Sequence, residues 1–461
     1  MMEGPAVALR AGAARIDISP PIGVQLFGYP HARRISTGVH DPLWASALVL
    51  KSGGAQCALV ALDLLFLDPP TARRIRRRVA AALGVEDSAV FISCSHTHSG
   101  PVTSFLAGWA GDIAMPAPDP EFLERVSEAV VHSACEASSS MRPASLAWTA
   151  ARVEGVGCNR CDPTGPSDPE VGTLAVRGQE GGIISIVMVY GMHPTVLHED
   201  CTLVSSDFPH YARIELEERF GGSMVALYHT GPAGDQSPRY HVKSQTFAEA
   251  ERLGRRLGAA VANAVAAIPA GSYRSEPLIE CRLAAFDPVR RRLPEPAEAE
   301  RMLAEYSSAL HRLRLAGADR AAVRTAECAV FGAEAAVHLA RAAKSGTLDR
   351  LLNEYAPFEI QAIRIGDCAL AGLPAEIFCE YGLRIRQAAG GRAFAVSLAN
   401  GHMQGYITTA EASKKGGYEA AGAVFDWRTG DVMVETAGAL LESLFSPKGR
   451  SDAQTGHDSG S

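Results

Sequence analysis

His96 and His98 stand one residue apart in Ser95-His96-Thr97-His98-Ser99-Gly100-Pro101, directly after the apolar run Ala89-Val90-Phe91-Ile92. Imidazoles at this spacing either decorate a polar turn or form half of a metal site. Four more short apolar runs end in the same way. They lead into Gly191-Met192-His193-Pro194-Thr195, Gly231-Pro232-Ala233-Gly234-Asp235-Gln236-Ser237-Pro238, Gly372-Leu373-Pro374-Ala375-Glu376, and the stretch 400–406 that closes on Tyr406. Two histidines and a carboxylate make the set of a catalytic zinc ion that keeps one position open. His96, His193 and Glu376 are therefore the candidate metal ligands, and Tyr406 could complete the set. His96 and His98 leave two options: both bind the ion, or one binds it and the other meets substrate. The hydroxyls of Ser95, Thr97 and Ser99 are expected to hold the free ring nitrogens.

Such residues need a rigid frame, and loops at strand ends are where one concentrates them. Apolar runs predict strands over 43–50, 57–66, 90–92, 146–153, 172–176, 183–189, 224–228 and 394–398. A hairpin is expected over 358–365 and 368–373, turning at Gly366-Asp367. Helical spacing predicts 70–83, opened by Pro69-Pro70 and ended by Gly84, then 121–137, 248–268 and 376–388. Two long helices are expected within 294–345, broken near Gly317. Glu376 would open its helix, where the dipole favours a carboxylate. Asp207 reads equally as the cap of a helix over 208–220 and as a partner that orients His193. The class is α/β, mixed α+β, with sheets flanked by helices and one domain over 1–446. The polar stretch 447–461 reads as a disordered tail.

The chain has 461 residues, 47% apolar and 21% charged, with a net charge of −7. That balance supports a sizeable core and argues against nucleic-acid binding, which needs a basic footprint. Arg73-Arg74-Ile75-Arg76-Arg77-Arg78 reads as a solvated helix face. No uninterrupted apolar stretch of about 18 residues predicts a transmembrane helix, and no signal peptide is legible at the N-terminus. Ten cysteines without a framework spacing read as reduced thiols of a cytoplasmic protein. The pair Cys158-Asn159-Arg160-Cys161 has no second pair to complete a metal set. A homo-oligomer is compatible with the sequence.

In order along residues 8–425, the chain resembles the catalytic domain of the neutral/alkaline non-lysosomal ceramidases. The resemblance rests on Gly12–Ser19, His40-Asp41-Pro42-Leu43-Trp44-Ala45, His96–Pro101, Asn159-Arg160, His193-Pro194-Thr195 and Ser205-Ser206-Asp207. It continues through Gly234–Pro238, Leu373–Glu376, Tyr406-Ile407-Thr408-Thr409 and Tyr418-Glu419. Departures are Gln236 for the family's Val, Arg239 for its Asn and Ala375 for its Gly. The family's C-terminal β-sandwich is not matched. The resemblance implies one zinc ion held by His96, His193, Glu376 and Tyr406. It also implies His98, Arg160 and Tyr418 around a scissile amide, and Ser237 near the attacked carbonyl. The expected activity is zinc-dependent hydrolysis of an N-acyl amide, in the family that of N-acyl sphingosine. One alternative is an acyltransferase or cyclase that forms an amide or ester bond in a biosynthetic pathway, with Ser237 carrying the acyl group. The other is a non-catalytic binding protein on the same fold.

Overall fold

The protein is described by a computed structural model covering residues 8–446; the expected tail at 447–461 lies outside the described residues. The apolar runs assemble into two packed sheets. The larger has eight strands: Arg10–Asp17 (β1), Trp44–Ser52 (β2), Ala55–Leu62 (β3), Val90–Cys94 (β4), Arg142–Arg152 (β5), Glu170–Gly178 (β6), Ile183–Tyr190 (β7) and Val225–Thr230 (β8). Their order is β8-β7-β6-β5-β1-β2-β3-β4. The smaller runs Ile279–Phe286 (β9), Phe358–Ile365 (β10), Cys368–Gly372 (β11) and Ala393–Val396 (β12), in that order. β9 to β11 pair antiparallel, with the turn at Gly366-Asp367.

Leu48, Leu59, Phe91, Leu174 and Leu227 of the larger sheet share one buried cluster with Ile363, Leu370 and Phe394 of the smaller. The sheets therefore lie face to face. Helices Pro69–Leu83 (α1) and Pro120–Ser139 (α2) cover half of the larger sheet's other face. Phe208–Phe220 (α3) and Phe247–Ala266 (α4) cover the rest. Pro296–Leu315 (α5) and Arg320–Lys344 (α6) form the expected pair on either side of Gly317. Thr347–Tyr355 (α7), Cys379–Ala388 (α8) and Arg428–Phe445 (α9) pack on the outer face of the smaller sheet.

Both sheets are antiparallel except at three places. β3 runs parallel to β4, β7 to β8, and β11 to β12. Each parallel pair needs a crossover, and α1, α3 and α8 supply them. The carboxyl ends of these strands carry all five polar loops. Backbone bonds tie those ends together: Ser397 N–H donates to Thr230 O at 2.8 Å, and Gly234 N–H to Ile377 O at 2.9 Å. Ser93 bridges Ala399. The convergence is thus a product of topology.

Two expectations are corrected. Glu376 does not open a helix: Glu376-Ile377 is a two-residue strand paired parallel with Tyr406-Ile407, and α8 starts at Cys379. Nor is the arginine run a solvated face throughout. Arg76 is buried and meets Glu359 at 2.7 Å, while Arg73 donates to the carbonyls of Tyr355 and Pro357. Asp207 does cap α3, accepting from Phe208 N at 2.6 Å, and also accepts from Leu197 N at 2.8 Å. All ten cysteines are free thiols. No helix among the described residues is long and apolar enough to cross a membrane.

Candidate metal centre

β4 ends at Cys94, and the chain turns at His96 through a left-handed backbone, φ 68°. A non-glycine residue pays for that conformation unless its surroundings impose it. Here His96 N–H donates to Leu64 O at 2.9 Å and its Nδ1 lies 3.1 Å from Leu65 O. The loop is braced from below. Thr97 Oγ1 donates to Ser205 O at 2.6 Å, and Ser205 Oγ donates to Asp41 Oδ2 at 2.6 Å. The motifs around Asp41 and Ser205 are therefore struts for the histidine loop.

His193 follows β7 and is fully buried. Its Nδ1 lies 2.9 Å from the carbonyl of Gln236, and its backbone N–H donates to that oxygen at 3.2 Å. Both imidazoles thus spend Nδ1 on a backbone carbonyl, which leaves Nε2 as the bare nitrogen facing inward. The expected hydroxyl partners are displaced by carbonyls, and Ser95 Oγ has no partner at all. Burial, with Arg160 nearby, pushes the His193 imidazole down to about 4, so it is neutral at pH 7.

Glu376 brings Oε2 to 3.1 Å from His96 Nε2 and 3.3 Å from His193 Nε2. None of these three buried atoms has a hydrogen-bond partner. Their spacing has a simple reading: two ligands about 2.0–2.1 Å from one ion at a tetrahedral angle stand about 3.3 Å apart. The donor set fits a divalent metal such as zinc. Burial alone would raise the Glu376 carboxyl, but His96 and His193 hold it well below the usual carboxylate range. The ligand nitrogens of His96, His98 and His193 also lie within 4.8 Å of one another. Glu376 pairs with His96 and His193 but comes within ion-pair distance of neither His98 nitrogen among the described residues.

His98 sits at the mouth side of this cluster. Its ring packs on Tyr29, centroids 5.0 Å apart, and neither ring nitrogen has a partner. Burial, reinforced by His96 and His193, lowers its pKa well below the ordinary value. Gly28, at φ 111°, makes room for it: a Cβ there would stand 2.5 Å from His98 Nδ1. Gly28→Ala is expected to keep its metal, while the turned His98 ring lowers kcat by about tenfold or more. Metal analysis beside steady-state rates checks this, and an unchanged kcat would show that the His98 position is immaterial.

Tyr406 stands in register with Glu376 and packs against Tyr418, ring centroids 5.8 Å apart. Burial first, then the Glu376 charge, pushes both phenols up, so each keeps its proton. The Arg160 guanidinium lies 5.5 Å from the Tyr406 ring centroid. It donates to Glu419 Oε1 and Gly234 O, both at 2.9 Å. Burial opposes its charge, yet Tyr406 and Glu419 hold its pKa well above the ordinary value. Ser237 is not drawn into the cluster by any hydrogen bond; its Oγ accepts from Arg239 N at 3.3 Å. The working atom of that segment is the Gln236 carbonyl under His193.

His402 was not singled out from the sequence. It is 1% exposed, with Nε2 3.7 Å from Glu376 Oε1. Its position within the strand-end stretch 400–406 was the available signal.

His96, His98, Glu376, His402, Tyr406 and Tyr418 supply the polar lining of a cavity that opens to solvent. Leu65, Phe66, Leu106, Trp109, Met115 and Leu339 make it apolar elsewhere. One wall belongs to α6. His31 fastens that helix over the cavity, its Nε2 2.7 Å from Glu334 Oε2 and its Nδ1 3.3 Å from Asp112 Oδ2.

Comparison with known proteins shows the family and the fold. The family model "Neutral/alkaline non-lysosomal ceramidase, N-terminal" matches residues 9–250. The neutral ceramidase of Drosophila melanogaster is 23% identical over 253 residues, covering 50% of this chain and 36% of the relative. That of Pseudomonas aeruginosa is 24% identical over 253 residues, covering 51% and 38%. The matches span little more than a third of the length of these curated relatives. The crystal structure of the Pseudomonas aeruginosa neutral ceramidase superposes with a TM-score of 0.72 at 20% identity, over 95% of this chain and 75% of that one. A second solved structure, a ceramidase complexed with C2, gives 0.73 at 19% identity, over 95% and 76%.

Proposed function

Because this chain belongs to the neutral/alkaline non-lysosomal ceramidase family, we propose that it is a zinc-dependent hydrolase of an N-acyl amide. The observation that carries this is the convergence of three buried ligand atoms without partners outside the trio, His96 Nε2, His193 Nε2 and Glu376 Oε2, beside a cavity that His96 and Glu376 line. A zinc ion held by these residues, with Tyr406 as the fourth, supplies Lewis acidity and a water of lowered pKa.

The chain's own groups then divide the work. The apolar wall takes the acyl arm and sheds its water. With Tyr406 given to the ion, Tyr418, which lines the cavity beside it and keeps its phenol proton, serves as donor to the amide carbonyl oxygen. Arg160, kept cationic, fixes the Tyr406 ring and adds positive potential where negative charge develops. His98, neutral and with both ring nitrogens free, is placed to accept a proton and return it to the departing amine. Ser237 has a lesser part than its motif suggests, since its hydroxyl serves the turn at Arg239.

The test is a panel of N-acyl amines of varied acyl length and head group offered to the zinc-loaded protein. Stoichiometric release of fatty acid and amine is expected. A zinc-loaded protein inert across the panel would overturn the reading, and a new amide formed in place of free acid would replace hydrolysis by acyl transfer.

The cavity makes a prediction about the acyl arm. Ala335 lines it from α6, facing Gly108. Ala335→Phe fills that wall. The ratio of kcat/KM for a long-chain amide to that for the acetyl amide is expected to fall by about tenfold or more. An unchanged ratio would place the arm elsewhere.

A further inference from the structure

His402 lies in a tightly held loop. Leu398, Asn400, Gly401 and Gln404 all have left-handed backbones, with φ of 54°, 59°, 122° and 84°. Such a run persists only where its neighbours impose it. Asn400 N–H donates to Ile92 O at 2.8 Å, and its Nδ2 donates to Gln361 Oε1 at 2.6 Å. Met403 N–H donates to Pro374 O at 2.8 Å, and Gln404 Oε1 accepts from Ala107 N at 3.0 Å. The loop is therefore pinned on both sides of His402. The imidazole stacks on Phe66, centroids 4.2 Å apart at 24°.

The ring carries a cost that packing alone does not explain. It is 1% exposed and neither nitrogen makes a well-formed hydrogen bond, the Gly405 backbone offering at most a weak one. Buried polar atoms are rarely left so. A phenyl ring would stack on Phe66 without that penalty. The charged group beside the ring is Glu376, whose Oε1 lies 3.7 Å from Nε2. The other oxygen of that carboxylate, Oε2, faces His96 and His193. His402 Nε2 faces the carboxylate oxygen that neither His96 nor His193 meets, which places the ring behind the carboxylate.

We propose that His402 is a positioning residue of the metal centre: its Nε2–H, 3.7 Å from the outer oxygen of Glu376 and so beyond hydrogen-bond length, attracts that oxygen electrostatically and leaves Oε2 to be presented to the ion. This rests on the metal-centre reading above. Partners of a ligand carboxylate typically contribute about 10–100-fold in metal affinity.

The test is the zinc dissociation constant, measured by competition with a chromogenic chelator, for the unaltered protein, H402F and H402Q. H402F keeps the stack on Phe66 and removes both nitrogens. H402Q keeps an N–H near the Nε2 position. H402F is expected to bind zinc about 10–100-fold more weakly while its zinc-free melting temperature stays unchanged. H402Q is expected to recover most of the affinity. Equal affinities for H402F and the unaltered protein would overturn the proposal. The Co(II)-loaded proteins give a second readout, usable on H402Q even where H402F does not fold. H402Q is expected to keep the unaltered d–d spectrum. A spectrum unlike it, with zinc affinity at least about tenfold below that of the unaltered protein, would place His402 on the ion and overturn the positioning role. An unaltered protein that binds no zinc would overturn the metal centre itself, whereas tight zinc binding unaffected by H402F overturns only the role of His402.

Discussion

Purified His193→Ala is expected to carry less than about a tenth of the zinc of the unaltered chain and to lose amidase activity by at least about 10³-fold. The reasoning is local. His193 is fully buried, and its orientation is set by the Gln236 carbonyl at 2.9 Å. Removing the ring leaves Glu376 Oε2 and His96, 3.1 Å apart, with only the protonated phenol of Tyr406 beside them, and that reduced set does not hold zinc at catalytic strength. Glu376→Gln is the companion variant. It keeps the side chain's shape, removes the negative charge from the donor set, and is expected to lose metal to a similar degree. Elemental analysis after gel filtration reads both. Full zinc retention in either would remove that residue from the ligand set.

The second large effect is on stability, and it acts through the same loop. Asp63 follows β3, and its carboxylate takes a bidentate pair from Arg213 of α3, at 3.0 and 2.7 Å, while also accepting from Trp44 N at 3.0 Å. Arg213 makes one further bond, to Ser206 Oγ at 2.7 Å. Both side chains are buried. Asp63→Ala leaves the guanidinium charge buried with a single hydroxyl partner. Breaking one side of such a pair typically costs about 3–5 kcal/mol. Leu64 and Leu65, whose carbonyls hold His96, follow directly, so zinc affinity is expected to fall with stability. Urea unfolding of the zinc-free protein measures the first effect. A loss under about 1 kcal/mol would mean that the pair does not brace this loop.

The frame of the site was legible because each functional loop follows a short apolar run. His96, His193 and Glu376 could be named as candidates on that ground, and the parallel pairing of the runs explains why their loops converge. What failed was local inference applied to long-range partners. Glu376 follows a Gly-x-Pro turn that resembles a helix start, yet it is claimed by Tyr406, thirty residues on, as a strand partner. The hydroxyls beside His96 are close in sequence, but its ring is held by Leu65 and that of His193 by Gln236, which only folding brings near. Arg76 sits in a run of like charges and is paired by Glu359, far along the chain. His402 belongs to no spacing pattern; its meaning comes from a carboxylate whose other oxygen is occupied elsewhere.

The central claim is that one ion sits between His96, His193 and Glu376. Crystals of the zinc-loaded protein, measured on both sides of the zinc absorption edge, test it most directly. An anomalous peak about 2.0–2.2 Å from His96 Nε2, His193 Nε2 and Glu376 Oε2 is the predicted result. A zinc-replete crystal with its only peak elsewhere, at Cys158 and Cys161 for instance, would contradict it.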